Sequence, residues 1–144
     1  MRVLVVQEDR RSAFTMAQAI EGWGYYAETA QTGHDAVRKV SQQIFEVVLL
    51  EIFLPDMTAH DLIPRFKQCQ PKMGIITMTP FSSKELEREI RIKGIIYYLI
   101  KPFDLHILKD LLDHNLKNRR RRHLGNGGQW WDTTIFGSGC KADG

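Results

Sequence analysis

The chain has 144 residues, of which 43% are hydrophobic and 26% charged, the composition of one ordinary globular domain with room for a normal core. Its net charge of +3 is unevenly spread: residues 117–144 hold six basic and two acidic side chains, and the other 116 hold 14 basic and 15 acidic, so a strongly basic body is excluded. Cys69 and Cys140 have no motif spacing, which argues against a disulfide framework or metal cluster, and no apolar run nears 18 residues.

Val3–Val6 is a short, wholly apolar run that reads as a buried strand, and Gln7-Glu8-Asp9 follows it. Ala13, Met16, Ala17 and Ile20 form a helical stripe that stops at Gly22, with Gly24 just beyond. Tyr25–Thr29 predicts a weaker strand, and Gly33 to Gln43 a helix with Ala36, Val37 and Val40 inward. The third strand, 45–50, delivers Glu51, and Pro55-Asp56 makes a turn after it.

Ala59, Leu62, Ile63 and Phe66 share the face of a third helix. Proline is tolerated in a helix only in the first turn, so Pro64 predicts a short helix starting near Asp61 as its cap. Gly74–Met78 is the fourth strand, ending at Thr79-Pro80. Ser82 or Ser83 caps a charged helix over Lys84–Lys93 whose inward pair is Leu86 and Ile90, and Gly94 ends it. Ile95–Ile100 is the fifth strand and leads into Lys101-Pro102. A final helix, from about Asp104 to Lys117, carries Ile107, Leu108, Leu111, Leu112 and Leu116.

Strands alternating with helices make parallel βαβ units, hence a doubly wound α/β sheet of five strands. Two segments follow: a domain over 1–117, and a basic tail over 118–144, containing glycine and tryptophan, that reads as flexible. With neither a signal-peptide pattern nor a membrane span, the expected location is cytoplasmic.

In a parallel sheet the C-terminal strand ends share one edge, where open α/β sheets bind ligands. Glu8, Asp9, Glu51, Thr79 and Lys101 are all placed at that edge. Three convergent carboxylates raise one another's pKa unless a cation sits among them, and hard oxygen donors suit Mg²⁺. Lys101 can instead neutralise a carboxylate as a point charge.

These residues resemble the receiver domain of two-component response regulators over 1 to about 117. The resemblance rests on Glu8-Asp9 after Val3–Val6, on the Leu49-Leu50-Glu51-Ile52-Phe53-Leu54-Pro55-Asp56-Met57 segment, on Thr79 and Tyr98, and on Lys101-Pro102-Phe103. It implies a flavodoxin-like (βα)5 three-layer sandwich with sheet order 2-1-3-4-5 and a cis peptide before Pro102. In ordinary members it also implies phosphoryl transfer from a histidine kinase to an aspartate. Thr79 and Tyr98 would be switch positions, and a weak Mg²⁺ site would comprise Glu8, Asp9, Glu51 and the Phe53 carbonyl, though no cofactor is required.

Three departures from that pattern stand out. Glu51 occupies the position of the phosphoaccepting aspartate, and its extra methylene moves the carboxylate by roughly 1.5 Å. Misplacement of about 1 Å costs about a hundredfold in a reaction that depends on positioning. Pro80 follows Thr79 where the family has a small residue whose N–H donates to the phosphoryl oxygens, and proline has no N–H. Loss of one such donor costs about 2.7–4 kcal/mol at comparable sites. Ala59 replaces a common glycine, at a cost that depends on the sign of φ.

The expectation is therefore an atypical receiver that acts through protein contacts rather than as an enzyme. Glu51 would pair with Lys101 or Thr79, either biasing the domain toward an active-like state with Tyr98 inward or simply filling a dead pocket. The alternative is a working Mg²⁺-dependent phosphoreceiver that uses Glu51 or another acceptor such as Asp56. The partner would be another signalling protein on the face of helix four, strand five and helix five, or on residues 129–136 with Trp130 and Trp131; a homodimer also stays open. A nucleic-acid role for Arg119, Arg120, Arg121 and Arg122 is disfavoured, because no base-reading element follows and four phosphate contacts give a salt slope of only roughly −3.6.

Overall fold

A computed structural model describes residues 1–125, and their side chains through 121. The elements run β1 (Arg2–Val6), α1 (Arg10–Gly22), β2 (Tyr26–Ala30), α2 (Gly33–Gln42), β3 (Val47–Glu51), α3 (Ala59–Cys69), β4 (Gly74–Thr79), α4 (Lys84–Arg91), β5 (Tyr97–Ile100) and α5 (Leu105–Gly125). All strand pairs are parallel, in the order β2-β1-β3-β4-β5. This is the doubly wound three-layer sandwich expected from the alternation of elements.

Successive strand residues point to opposite faces of the sheet, and that parity divides the core. Val3, Val5, Val47, Leu49, Ile76, Met78 and Leu99 pack with Ala13, Met16, Ala17 and Ile20 of α1 and Leu108 and Leu112 of α5. Leu4, Val6, Val48, Leu50, Ile75 and Tyr98 pack on the other face with α2, α3 and Ile90 of α4. Every residue of β3 is buried, as its unbroken apolar run required.

Two helix boundaries differ from the sequence reading. α3 begins at Ala59, capped by Thr58, so Pro64 lies in its interior at the sixth position. The Thr58 side chain makes no capping hydrogen bond; Ala59 N–H donates out of the helix to Ile52 O at 2.8 Å, and Leu62 N–H makes the first helical bond, to Thr58 O, at 3.1 Å. Ala59, Leu62, Ile63, Phe66 and Cys69 are all buried, and burial worth about 1.5–3 kcal/mol for each large apolar side chain outweighs one lost hydrogen bond. Cys69 is not a free thiol, which the absence of motif spacing between the two cysteines did not suggest.

α5 runs past Lys117 to Gly125, so the first residues assigned to a flexible tail are helical. Arg119 holds it there. Its Nε donates to Asn115 Oδ1 at 2.7 Å, and its Nη2 donates to the carbonyls of Glu46 at 2.5 Å and Lys72 at 2.7 Å. Glu46 and Lys72 lie just before β3 and β4, at the opposite edge of the sheet from the strand ends that carry Glu51 and Thr79. Trp130, Trp131 and the rest of 129–136 lie outside the described residues.

The Lys101–Pro102 peptide is cis, as the resemblance implied, and among the described residues none other than glycine has positive φ. Ala59 therefore introduces no left-handed strain. Among the described residues, no helix is long and apolar enough to cross a membrane.

Candidate functional site

The C-terminal ends of β1, β3 and β5 meet in a cleft of about 240 Å³ lined by Gln7, Glu8, Asp9, Ser12, Glu51, Phe53 and Lys101. Parity explains which strand-end groups can face one another. Glu51 continues the face of Val47 and Leu49, and Lys101 continues that of Leu99, so both point toward α1 and α5. Lys101 Nζ donates to Glu51 Oε2 at 2.6 Å, with only 21% and 11% of the two side chains exposed. A charge-assisted bond of this length between two sheltered side chains is a strong contact.

Thr79 does not join them. It follows Ile75 and Thr77 in alternation, which places it on the α2–α4 face with Tyr98. Its hydroxyl is engaged locally, accepting from Phe81 N–H at 3.1 Å and lying 3.2 Å from Phe81 O. Tyr98 is 3% exposed, and its hydroxyl is 2.9 Å from Ser82 Oγ. Of the two partners expected for Glu51, the structure selects Lys101.

The acidic pair is also divided. Asp9 caps α1, accepting from Arg11 N–H at 3.2 Å and from Ser12 Oγ–H at 2.6 Å. The Ser12 hydroxyl, helped by the Arg11 and Ser12 amides, holds the Asp9 carboxyl below its ordinary range even against partial desolvation. Glu8 is exposed. The residue that closes the floor is Gln7, which the sequence reading passed over. It is 5% exposed, and its Oε1 accepts no hydrogen bond. Parity with Val3 and Val5 was the signal that could have found it.

This donor set does not suit a divalent cation. Gln7 brings no charge, the oxygens of Asp9 are occupied at the helix cap, and Glu51 is bound to an ammonium. Among the described residues, no group of three or more His, Cys, Asp or Glu is placed to hold a metal. The expected set of Glu8, Asp9, Glu51 and the Phe53 carbonyl lines one cleft without forming a coordination shell.

Asp56 lies away from the cleft and tethers the loop after β3 to the start of α2. It accepts from the amides of Gly33 at 2.8 Å and His34 at 2.9 Å, and the His34 ring nitrogen is 2.5 Å from Oδ2. Partial burial raises its pKa, but these amide and ring contacts prevail and bring it down to about 2. With its oxygens committed, Asp56 is poorly placed as a phosphoryl acceptor.

On the far side of Gln7 an apolar groove of about 420 Å³ is lined by Gln7, Ser12, Met16, Pro80, Lys101, Pro102, Phe103 and Leu105. Pro80 thus forms a wall of this groove, and it offers no N–H to anything bound there.

Residues 3–113 match the family described as the response regulator receiver domain. The transcriptional regulatory protein ZraR of Salmonella typhimurium is 33% identical over 118 residues, covering 82% of this chain and 27% of ZraR. The DNA-binding transcriptional regulator NtrC of a Bradyrhizobium strain is 31% identical over 122 residues, covering 83% of this chain and 25% of NtrC. The chain therefore spans about a quarter of the length of these curated relatives. Among solved structures, a CheY-like receiver domain protein from Methanospirillum hungatei is 29% identical with a TM-score of 0.73, covering 81% of this chain and 97% of that one. The chemotaxis protein CheY4 of Vibrio cholerae is 25% identical with a TM-score of 0.72, covering 78% and 96%.

Proposed function

The chain belongs to the response regulator receiver family, and we propose that it passes signals through protein–protein contacts without phosphoryl transfer, with Glu51 a fixed charge in the phosphoacceptor position. The observation that carries this reading is the 2.6 Å bond between Lys101 Nζ and Glu51 Oε2. A lysine free to meet an incoming phosphoryl group would be an electrostatic aid to transfer; here it is already neutralised by the group that would have to react.

Two further features support the same reading. The donor missing at Pro80 weakens any oxyanion cradle, and the strand ends give Mg²⁺ too few convergent oxygens. In this proposal the domain needs no metal and is not an enzyme. Tyr98 is buried, as expected of an active-like receiver, and Glu51 is held by Lys101, so neither side chain waits on a transferable group.

The partner is another signalling protein, met on the surface of α4, β5 and α5, and the setting is cytoplasmic. The relatives named as transcriptional regulators make a nucleic-acid role the second reading. It loses ground because Arg119, the first residue of the basic run, is committed to the Glu46 and Lys72 carbonyls.

The deciding experiment is incubation with acetyl phosphate and Mg²⁺, followed by electrophoresis in a phosphate-retarding gel. No shifted band is expected from the wild type. A shifted band that disappears in Glu51→Gln would show a working phosphoreceiver and overturn the proposal.

A further inference from the structure

The cleft and the apolar groove share Gln7, Ser12 and Lys101, and we propose that together they form a binding site for a small uncharged molecule with a carboxamide or lactam head and an apolar body. Gln7 carries the argument. A buried carbonyl oxygen with no donor is disfavoured, and such groups in native proteins call for an explanation. Gln7 is 95% shielded and its Oε1 accepts nothing, while the same side chain borders both cavities. The terminal torsion of glutamine is soft, so its amide can turn to meet a donor arriving from the groove.

The chemistry of the occupant follows from the polar groups and the walls. Gln7 Oε1 requires a donor. Beside it, Lys101 has three N–H donors, of which Glu51 takes one, so the occupant also needs an acceptor. An N–H and a C=O on adjacent atoms answer both. A cation is disfavoured by the Lys101 ammonium, and an anion by the Glu51 and Glu8 carboxylates. Met16, Pro80, Pro102, Phe103 and Leu105 then cover an apolar body, and about 420 Å³ falls within the range of small-molecule sites.

Benzamide is a suitable probe, titrated into the isotope-labelled full chain and followed by two-dimensional NMR. The expected result is saturable shifts confined to the Gln7 side-chain amide and to the backbone amides of Ser12, Lys101, Phe103 and Leu105. Acetophenone has the same shape and acceptor but no donor, and it should bind about tenfold more weakly. Gln7→Leu should weaken benzamide to a similar degree. Leu105→Glu, at the exposed rim, should weaken it too and serves if the Gln7 variant fails to fold. No saturable shift, shifts centred elsewhere, equal affinity for acetophenone, or affinity unchanged in either variant overturns the proposal. No phosphoryl donor enters the titration, so its outcome is separate from the proposal that the chain does without phosphorylation.

Discussion

Lys101 Nζ lies 2.6 Å from Glu51 Oε2, and the two side chains arrive from β3 and β5, strands separated in the sheet by β4. Removing one member of a sheltered ion pair strands the other, at a cost of about 3–5 kcal/mol when burial is complete. The modest exposure of Lys101 lowers the expectation to about 2 kcal/mol for Lys101→Met. Replacing both residues with methionine should recover most of that loss, as measured by urea denaturation. A double variant no more stable than Lys101→Met would show that the pair is not coupled.

Metal response gives a second prediction. The wild-type melting temperature should not move with added Mg²⁺. Gln7→Asp combined with Glu51→Asp adds a floor carboxylate and draws the β3 carboxylate back from Lys101. That variant should gain Mg²⁺-dependent stability of about 1.4 kcal/mol at a tenfold excess over its Kd, read by thermal melts with and without the ion.

Asp56 should make stability depend on acid. Its folded pKa of about 2 lies below the ordinary carboxylate value of 3.8, so the unfolded chain binds the proton more readily. The stabilisation is complete above the unfolded value and is lost as pH falls through about 2. Asp56→Asn should be less stable than the wild type by about 1 kcal/mol at pH 7, a figure reduced for solvent screening. The gap should close as denaturation is repeated toward pH 2.

Pro64 is out of place in α3, where it leaves the His60 carbonyl without its helical donor. Pro64→Ala should therefore stabilise the domain, by about 1–3 kcal/mol. Chemical denaturation at neutral pH is the measurement, and a loss of stability would mean the ring packs better than the helix rule allows.

Arg119→Ala should release the end of α5. Three hydrogen bonds vanish, and amides near the end of that helix should exchange with solvent about tenfold faster, while those of β3 change little.

The layers of the fold were legible because runs such as Val3–Val6 and Val47–Leu50 announce strands buried on both faces. The start of α3 was not, since the rule against interior proline is local and the burial that overrides it is not. The acidic pair Glu8-Asp9 drew the reading past Gln7, although period-two spacing from Val3 and Val5 points to it. Lys101 and Glu51 were individually readable as strand-end charges. That they would meet, leaving Thr79 to bond with its own loop, depended on which face each strand end presents. The Arg119 contacts were hidden for a different reason: carbonyls 73 and 47 residues away leave no trace in local sequence.

The parity of β3, β4 and β5 has a consequence for how the domain handles perturbation. Glu51 and Lys101 stand on one side of the sheet, while Thr79 and Tyr98 stand on the other, behind strand backbone locked by its own ladder. Rewriting the charges on the first side leaves the packing of the second unaltered unless that backbone itself shifts. The sheet then acts as an insulating partition, so the surface beyond Tyr98 can drift toward new partners while the charged cleft stays as it is.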